Sequence, residues 1–155
     1  MVHLDFEAFY DAYWQQQGDR FDQRRQGLLA RHVHAGDRVL QVDCGPGVLA
    51  ARLAEQGAQV VGTDLSAEAV RRAQARGVNA SQVNLDRQPL PFADASFDAV
   101  VSDSQIEHRV DYGGYLDECA RVLRPGGRLV LCVPNTAHWR VRWWLLRGHF
   151  PYVEH

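Results

Sequence analysis

Residues 38–64 read RVLQVDCGPGVLAARLAEQGAQVVGTD, and this stretch decides the fold. Val39 to Val42 is a short run rich in β-formers, and Gly45-Pro46-Gly47 is a turn. Apolar residues then recur with helical spacing at positions 49, 50, 53 and 54, up to Gly57, a residue type that often follows a helix end. Val60 to Thr63 is a second β-rich run, so the stretch predicts strand, glycine turn, helix and strand.

The alternation of strand and helix continues on both sides of this stretch. Upstream, residues 6–34 carry aromatic and apolar residues at helical spacing with a break near Gly18, which predicts a helical lead-in. Downstream, the pattern predicts a helix capped by Ser66 and ended by Gly77, then a strand that includes Val83 and a strand at 97–102. A helix at 115–123 follows, with an apolar stripe of Leu116, Ala120 and Leu123. The last predicted strand, at 128–133, comes after the turn Pro125-Gly126-Gly127.

The predicted strands are nearly continuous apolar runs, which is typical of a sheet covered by helices on both faces. Alternating strands and helices with right-handed crossovers predict a doubly wound, Rossmann-like sheet of about five parallel strands in the order 3-2-1-4-5. We therefore predict an α/β fold in one domain, residues 1–155, with a helical lead-in at 1–35, a core at 36–135 and an amphipathic tail at 136–155.

The composition excludes several classes of protein and bears on where in the cell the protein is expected. A chain of 155 residues with 46% hydrophobic and 23% charged residues is typical of a globular domain and excludes disordered and coiled-coil readings. A net charge of −2 gives no basic field for nucleic acid, and no apolar run is long enough for a membrane span, so we expect a cytoplasmic protein. Cys44, Cys119 and Cys132 are widely spaced in apolar surroundings and are expected to be reduced core thiols.

Ligands of such sheets bind outside the carboxyl ends of the strands, so the strand tips hold the candidate site. Gly45 and Gly47 allow close approach to the backbone, although such a turn alone is weak evidence, since a tight turn that needs positive φ also explains it. Asp64 lies 17 residues after Gly47, where a carboxylate could accept both hydroxyls of a ribose or could cap the next helix. The run from Gly45 to Ala50 also satisfies G-x-G-x-x-A, so a nicotinamide-dinucleotide binder is a competing prediction.

Linked motifs in the second half of the chain resemble those of one family. They are LPFADASFDAVVS at 90–102, IEH at 106–108, RVLRPGG at 121–127 and VPN at 133–135. In this order they resemble the class I S-adenosylmethionine-dependent methyltransferases that act on small molecules. The resemblance implies S-adenosylmethionine as cofactor, with the glycine loop under its methionine moiety, Asp64 on its ribose, Asn84 and the Leu85 backbone facing its adenine, and the remaining contacts at Gln41, Asp43, Leu65 and Ser102.

The chain departs from the family pattern D-x-G-x-G-x-G at its first two positions, which are Gln41 and Asp43. Residues two apart on a strand point to the same face, so the Asp43 carboxylate could take over the ammonium contact of the missing acid. Alternatively, its bulk and its preference against positive φ could obstruct the glycine loop. The second outcome favours a non-catalytic, methyltransferase-like interaction or regulatory protein. Asn84 replaces the usual acid but keeps an acceptor oxygen.

The resemblance implies transfer of the sulfonium methyl group to a small-molecule acceptor, with the protein supplying alignment and desolvation. His108 is the candidate general base because its ordinary pKa lies near neutrality, although a histidine bonded to loop backbone is an equal alternative. Related ubiquinone-pathway enzymes resemble this stretch and add a carboxylate for a metal where this chain has Ser104, so no metal is expected.

The tail has a stripe of Trp139, Trp143, Leu146 and Phe150 flanked by arginines, which predicts an amphipathic helix. We expect it to pack on the sheet; a lid over the substrate or a membrane-surface contact are alternatives, although a membrane partner is not expected. The resemblance also implies a further helix and hairpin after the fifth strand, so we expect a truncated form. Its exposed fifth strand would be covered by the tail or by a second subunit, giving a homodimer through that strand or the 138–150 segment.

Overall fold

The computed structural model of the protein describes residues 5–18, 21–109 and 111–149. In chain order its elements are α1 (Phe6–Gln16), α2 (Gln23–Ala30), β1 (Arg38–Val42), α3 (Val48–Glu55), β2 (Gln59–Asp64), α4 (Ala67–Ala75), β3 (Asn79–Gln82), β4 (Phe97–Asp103), α5 (Tyr112–Val122), β5 (Leu123–Cys132) and α6 (Trp139–Leu146). A short 3-10 helix, Ile106–His108, lies between β4 and α5. The strands form one parallel sheet in the order β3-β2-β1-β4-β5, which confirms the predicted fold class and strand order.

The lead-in is helical as predicted, and an aspartate caps each of its two helices. Asp5 accepts a hydrogen bond from the Ala8 N–H at 3.2 Å. Asp22 accepts from the N–H groups of Arg24 and Arg25 at 2.9 and 3.0 Å. Because these N–H groups have no partner within their own helix, the two side chains fix where α1 and α2 begin.

Helices cover both faces of the sheet, so its central strands are almost fully buried. Val39 on one face of β1 packs with side chains of α2 and α3, among them Leu29, Leu49 and Leu53. Leu40 on the other face packs with Tyr115, Cys119 and Val122 of α5. With both faces filled, the strand tips are the part of the sheet left open to a ligand.

The start of α3 packs against α4 at backbone distance, and Gly47 makes this possible. Gly47 has a φ of +78°, and a Cβ atom there would lie 2.8 Å from the Ala73 Cβ and 2.9 Å from its Cα. A non-glycine residue would therefore be strained in its backbone and would overlap α4. The glycine turn fixes the distance between two helices as well as the shape of the loop.

The third strand ends before Val83, so the prediction that Val83 lies in it is wrong. β3 spans Asn79–Gln82, and Val83, which was predicted to lie in it, follows directly after it. The buried Val83 keeps one sheet-like contact, because its N–H donates to the Asp64 carbonyl at 2.8 Å. The strand direction therefore continues into the loop that carries Asn84.

The predicted stripe on the fifth main helix is wrong by one residue. α5 begins at Tyr112, after the capping residue Asp111, and its buried residues are Tyr115, Cys119 and Val122. In the predicted stripe, Leu116 is half-buried, Ala120 is exposed and Leu123 belongs to β5. Both stripes are apolar and helically spaced, so the pattern alone could not choose between them.

The last strand is longer than predicted and contains the predicted turn. β5 starts at Leu123, which pairs with Phe97, and the next pair joins Arg128 to Ala99. Residues 124–127 stand against Asp98 alone between these pairs, so Pro125-Gly126-Gly127 lies in a bulge-like irregularity within the strand. A bulge bends a strand without ending it, which a turn signal cannot reveal. Val133 lies just after the strand.

The tail helix forms but does not pack on the sheet as predicted. α6 has no buried residue, and Trp139, Trp143 and Leu146 are 66, 49 and 81% exposed. Phe150, the last residue of the predicted stripe, lies outside the described residues. Leu129 and Leu131 of β5 also stay exposed, so α6 does not cover that strand.

Among the described residues, no helix combines the length and the apolar character that crossing a membrane requires.

The three cysteines are free, as predicted. Cys44 and Cys119 are buried, and Cys132 is half-buried. Burial raises the pKa of all three thiols, that of Cys119 to about 12. These thiols therefore stay protonated at neutral pH, as expected of packing residues.

Candidate functional site

The carboxyl end of β1 carries the two residues that depart from the family pattern. Asp43 adopts a φ of +53°, the left-handed conformation that favours glycine, so the backbone keeps the shape a glycine would give it. Gln41 is 3% exposed, and its Oε1 atom has no hydrogen-bond partner among the described residues. A buried acceptor without a donor is uncommon, and at a strand tip it suits a ligand's N–H group.

Asp43 is paired with an arginine that sequence analysis did not single out. One terminal nitrogen of Arg109 lies 2.6 and 2.5 Å from the two carboxylate oxygens of Asp43. The other terminal nitrogen lies 3.1 Å from Asp86, and the guanidinium sits over the Tyr115 ring at 5.2 Å. The side chains of Asp43 and Arg109 are only 10 and 8% exposed, so their ion pair is buried across the strand tips.

Burial controls the ionisation of this pair. It raises the pKa of Asp43, and the adjacent Arg109 charge opposes that rise. Burial also lowers the pKa of Arg109, but Asp43 and Asp86 more than offset this effect and raise it. Arg109 is therefore a permanent cation, and its charge favours the ionised form of the buried Asp43 carboxyl group.

Asp64 lies at the end of β2 and joins two loops of the site. Its Oδ2 accepts from the Gly45 N–H at 2.8 Å, and its Oδ1 accepts from the Ser66 N–H at 2.9 Å. Burial raises the pKa of Asp64 to about 7, the charge of Asp43 adds to the rise, and the two N–H donors oppose it. Each carboxylate oxygen can accept a second hydrogen bond, so these contacts are compatible with a ligand hydroxyl.

Helix α1 lies across these strand tips. A Cβ atom at Gly45, whose φ is +54°, would lie 3.1 Å from the Trp14 ring. Asp11 accepts from the Ser66 hydroxyl and, at 3.1 Å, from the Glu68 N–H. One face of α1 therefore contacts both the glycine loop and the start of α4.

A further contact joins α1 to the loop after β3. The Asn84 amide donates to the Glu7 carboxylate at 2.8 Å, and its oxygen accepts from the Asp86 N–H at 3.2 Å. Next to Asn84, Leu85 is half-buried against the cluster that contains Val42. Leu65, beside Asp64, is also half-buried.

Ser102 belongs to the structure beneath the site. It is 1% exposed, and its hydroxyl accepts a hydrogen bond from the Tyr115 hydroxyl at 2.7 Å. The same Tyr115 ring supports Arg109. Ser102 therefore holds a residue that orients the buried ion pair.

His108 is exposed at the end of the 3-10 helix, directly before Arg109. It lies near the ion pair, since its charge contributes to lowering the pKa of Asp43. Ser104, where related enzymes place a carboxylate, is buried and has a φ of +57°. Within the ranges that the structure describes, no group of three or more His, Cys, Asp or Glu side chains could hold a metal ion.

The structure adds Arg109, Asp86, Trp14 and Tyr10 to the candidate residues. Burial raises the pKa of Tyr10, and the charges of Arg109, Asp43 and Asp64 also act on it, so Tyr10 lies near the site. The aromatic stripe of the lead-in signals a packed helix but does not show which surface it covers. Arg109 directly follows the IEH motif, and that position is the one sequence signal that could have drawn attention to it.

Comparison with known proteins places this chain in a family. Residues 40–131 match the family described as "Methyltransferase domain", and the chain belongs to that family. It is 43% identical over 118 residues to a demethylmenaquinone methyltransferase of Mycobacterium sp. (strain KMS), covering 76% of this chain and 50% of that protein. It is 33% identical over 142 residues to a ubiquinone biosynthesis O-methyltransferase of Xylella fastidiosa, covering 84% and 57%.

A solved structure agrees with the fold. An S-adenosylmethionine-dependent methyltransferase from Mesorhizobium loti superposes with a TM-score of 0.62 at 28% identity, over 70% of this chain and 51% of that one. The chain thus spans about half the length of the relatives it matches. The family and the fold imply the use of S-adenosylmethionine.

The residues present fit that cofactor. Its methionine end carries an ammonium group, and Gln41 offers a buried acceptor oxygen without a donor. Its sulfonium adds positive charge, and the carboxyl groups of Asp43, Asp64 and Asp86 lie at the strand tips, where a nearby cation favours their ionised form. The bulk of Asp43 does not close the loop, because its side chain lies against Arg109 while its backbone keeps the left-handed conformation.

Proposed function

We propose that this protein transfers the methyl group of S-adenosylmethionine to a small-molecule acceptor. One observation carries the proposal: within a methyltransferase-domain chain, the tips of β1 and β2 and the loop after β3 bring three carboxyl groups together beside a glycine loop, two of them buried. An acidic cluster of this kind favours a cationic ligand. The particular residue roles that follow are part of the proposal.

The cofactor would lie across the three tips. The glycine loop, residues 45–47, would lie under its methionine end, and Asp64 would accept from its ribose hydroxyls. Asn84, Leu65 and Leu85 line the adenine end. When bound, the cofactor supplies an electrophilic methyl group on sulfur, and the protein positions the acceptor in line with it and excludes water.

His108 is the proposed general base for an acceptor whose nucleophile is protonated. It lies at the carboxyl end of the sheet, next to the buried ion pair, and is open to an incoming acceptor. The names of the relatives make quinone precursors the first acceptors to test. A His108→Gln variant should keep cofactor affinity within twofold and lose methyl transfer by about 10²-fold or more.

Calorimetric titration with S-adenosylmethionine, S-adenosylhomocysteine and NAD separates the candidate functions. We expect saturable binding of the first two and none of NAD. Transfer of labelled methyl groups to a quinone precursor then tests catalysis. Binding without transfer to any acceptor would favour a regulatory protein, and a folded protein that binds neither sulfur ligand would contradict the proposed function.

The partners and location form a second part of the proposal. The outer edge of β5 has no pairing strand among the described residues, and we propose that a second copy pairs with it to form a homodimer. A cytoplasmic location stays a prediction.

A further inference from the structure

Three charged residues from three separate segments meet at the strand tips. Asp43 begins the loop after β1, Arg109 follows the 3-10 helix, and Asp86 lies in the segment after β3. Asp43 and Arg109 are 66 positions apart in sequence and both nearly buried, whereas the Asp86 side chain is 55% exposed. The buried part of this arrangement is thus a single ion pair.

A buried ion pair of this kind is weak support for a fold. Removing two charges from water carries a large desolvation cost, and their mutual attraction offsets that cost only where the geometry is good. The geometry of this pair is not the favoured one, because a single Arg109 nitrogen contacts both Asp43 oxygens. In a bidentate pair, two guanidinium nitrogens each contact one carboxylate oxygen. The pair is therefore better suited to exchanging partners than to bracing the sheet.

The neighbouring Gln41 adds a second, independent observation. Its Oε1 is buried at the same strand tip and accepts no hydrogen bond from any described residue. An ammonium group donates three hydrogen bonds and suits a carboxylate together with an amide oxygen. A guanidinium binds a carboxylate well. The tip of β1 and Arg109 together therefore complement a zwitterionic group, one that carries both an ammonium and a carboxylate.

We propose that Asp43 and Arg109 form a clamp for the amino-acid end of the ligand, with Asp43 accepting from its ammonium and Arg109 donating to its carboxylate. This inference rests on the proposed function, because it assigns residues within the same site. Without ligand, each residue neutralises the other. With ligand, the zwitterion gives each a new counter-ion, so neither charge is left buried and unpaired. Arg109 is then a specificity-determining residue.

Ligand pairs test the clamp directly. S-Adenosylhomocysteine carries the amino-acid end, 5′-methylthioadenosine lacks it, and decarboxylated S-adenosylmethionine keeps the ammonium without the carboxylate. Titration calorimetry should show that Arg109→Met weakens S-adenosylhomocysteine binding at least tenfold while changing the other two less than threefold. Asp43→Asn should weaken both ammonium ligands at least tenfold and leave 5′-methylthioadenosine within threefold.

Arg124→Met is the matched control, since Arg124 forms an ion pair with Asp98 at the opposite end of β4. It should change no affinity by more than twofold. Thermal melting establishes that each variant folds. If Arg109→Met does not fold, Arg109→Lys keeps the charge but loses the planar fork, and Asp43→Gly restores the glycine that suits a φ of +53°. Arg109→Lys should weaken the binding of S-adenosylhomocysteine alone. Asp43→Gly should weaken the binding of both ligands that carry the ammonium group.

Two failures are distinguishable. If the unaltered protein binds S-adenosylhomocysteine but each variant weakens all three ligands equally, the ion pair is a structural brace and the clamp is wrong. If the unaltered, folded protein binds none of the ligands, the proposed function fails and the clamp fails with it.

Discussion

The ionisation of Asp64 couples the stability of the fold to pH. Burial raises its pKa from 3.8 to about 7, so the folded state binds a proton more tightly than the unfolded chain does. Between pH 4 and pH 7 the folded state therefore holds more protons, and its free energy of unfolding falls as pH rises. The contribution of the protonated Asp64 is complete at low pH and is lost as pH passes through 7.

A substitution isolates this effect. Asp64→Asn keeps an acceptor for one of the two N–H donors but cannot titrate, so we expect the variant to be less stable than the unaltered protein by about 1–3 kcal/mol at pH 5. The difference should narrow between pH 5 and pH 8. Urea unfolding at four pH values measures it, and parallel stability curves would show that Asp64 has an ordinary pKa.

At the scale of residues, the sequence was a better guide to which residues lie in the site than to which residues they contact. Asp64 is singled out by its spacing from the glycine turn, and Asp43 by its departure from the pattern of the family that the chain resembles. The ion pair of Asp43 with Arg109 depends on how a loop far along the chain folds back over β1. No periodicity encodes that distance, so the sequence left open whether Asp43 would replace the missing acid or obstruct the loop.

At the scale of elements, the glycine turn before α3 is a packing device that can be tested with a matched pair of variants. Gly47→Ala introduces a Cβ 2.8 Å from that of Ala73 at a φ of +78°. Gly77→Ala has nearly the same φ, +80°, with no atom within 4 Å of the new Cβ. The first should lower the free energy of unfolding by about 2–5 kcal/mol, from strain and overpacking. The second should lower it by about 1–2 kcal/mol.

Calorimetric or urea unfolding of both variants measures the difference. Equal losses would mean that α3 and α4 can move apart at little cost, and that the turn needs glycine for its backbone conformation alone.

The order of the helices and strands was predictable from the sequence. Which face of a helix is buried, and where a strand begins and ends, was less so. α5 offers two apolar stripes, and the one with Tyr115 is buried because Tyr115 also bonds Ser102 and supports Arg109. β5 continues through Pro125-Gly126-Gly127 because its ladder with β4 resumes at Arg128. In both cases tertiary contacts decide between local alternatives of similar propensity.

For the whole molecule, the sheet has two different edges. β3 is short and polar, with exposed Asn79, Ser81 and Gln82, which discourages further strand pairing. β5 is long, and Leu129 and Leu131 are each more than a third exposed. The two edges therefore differ in their capacity to recruit another strand, and β5 is the one suited to a partner.

We predict that β5 pairs with β5 of a second copy about a two-fold axis, which would extend the sheet across the dimer. Light scattering over a concentration series should then show a particle of twice the chain mass that dissociates on dilution. Leu131→Lys places like charges near the axis and should yield a folded monomer whose melting temperature, unlike that of the unaltered protein, does not depend on concentration. Leu28→Lys is the matched control, because Leu28 is 51% exposed on α2, a helix that packs on a face of the sheet and does not form the outer edge of β5, and it should leave the dimer intact. A monomer at every concentration, with β5 amides that exchange rapidly with solvent, would show that this edge stays unpaired.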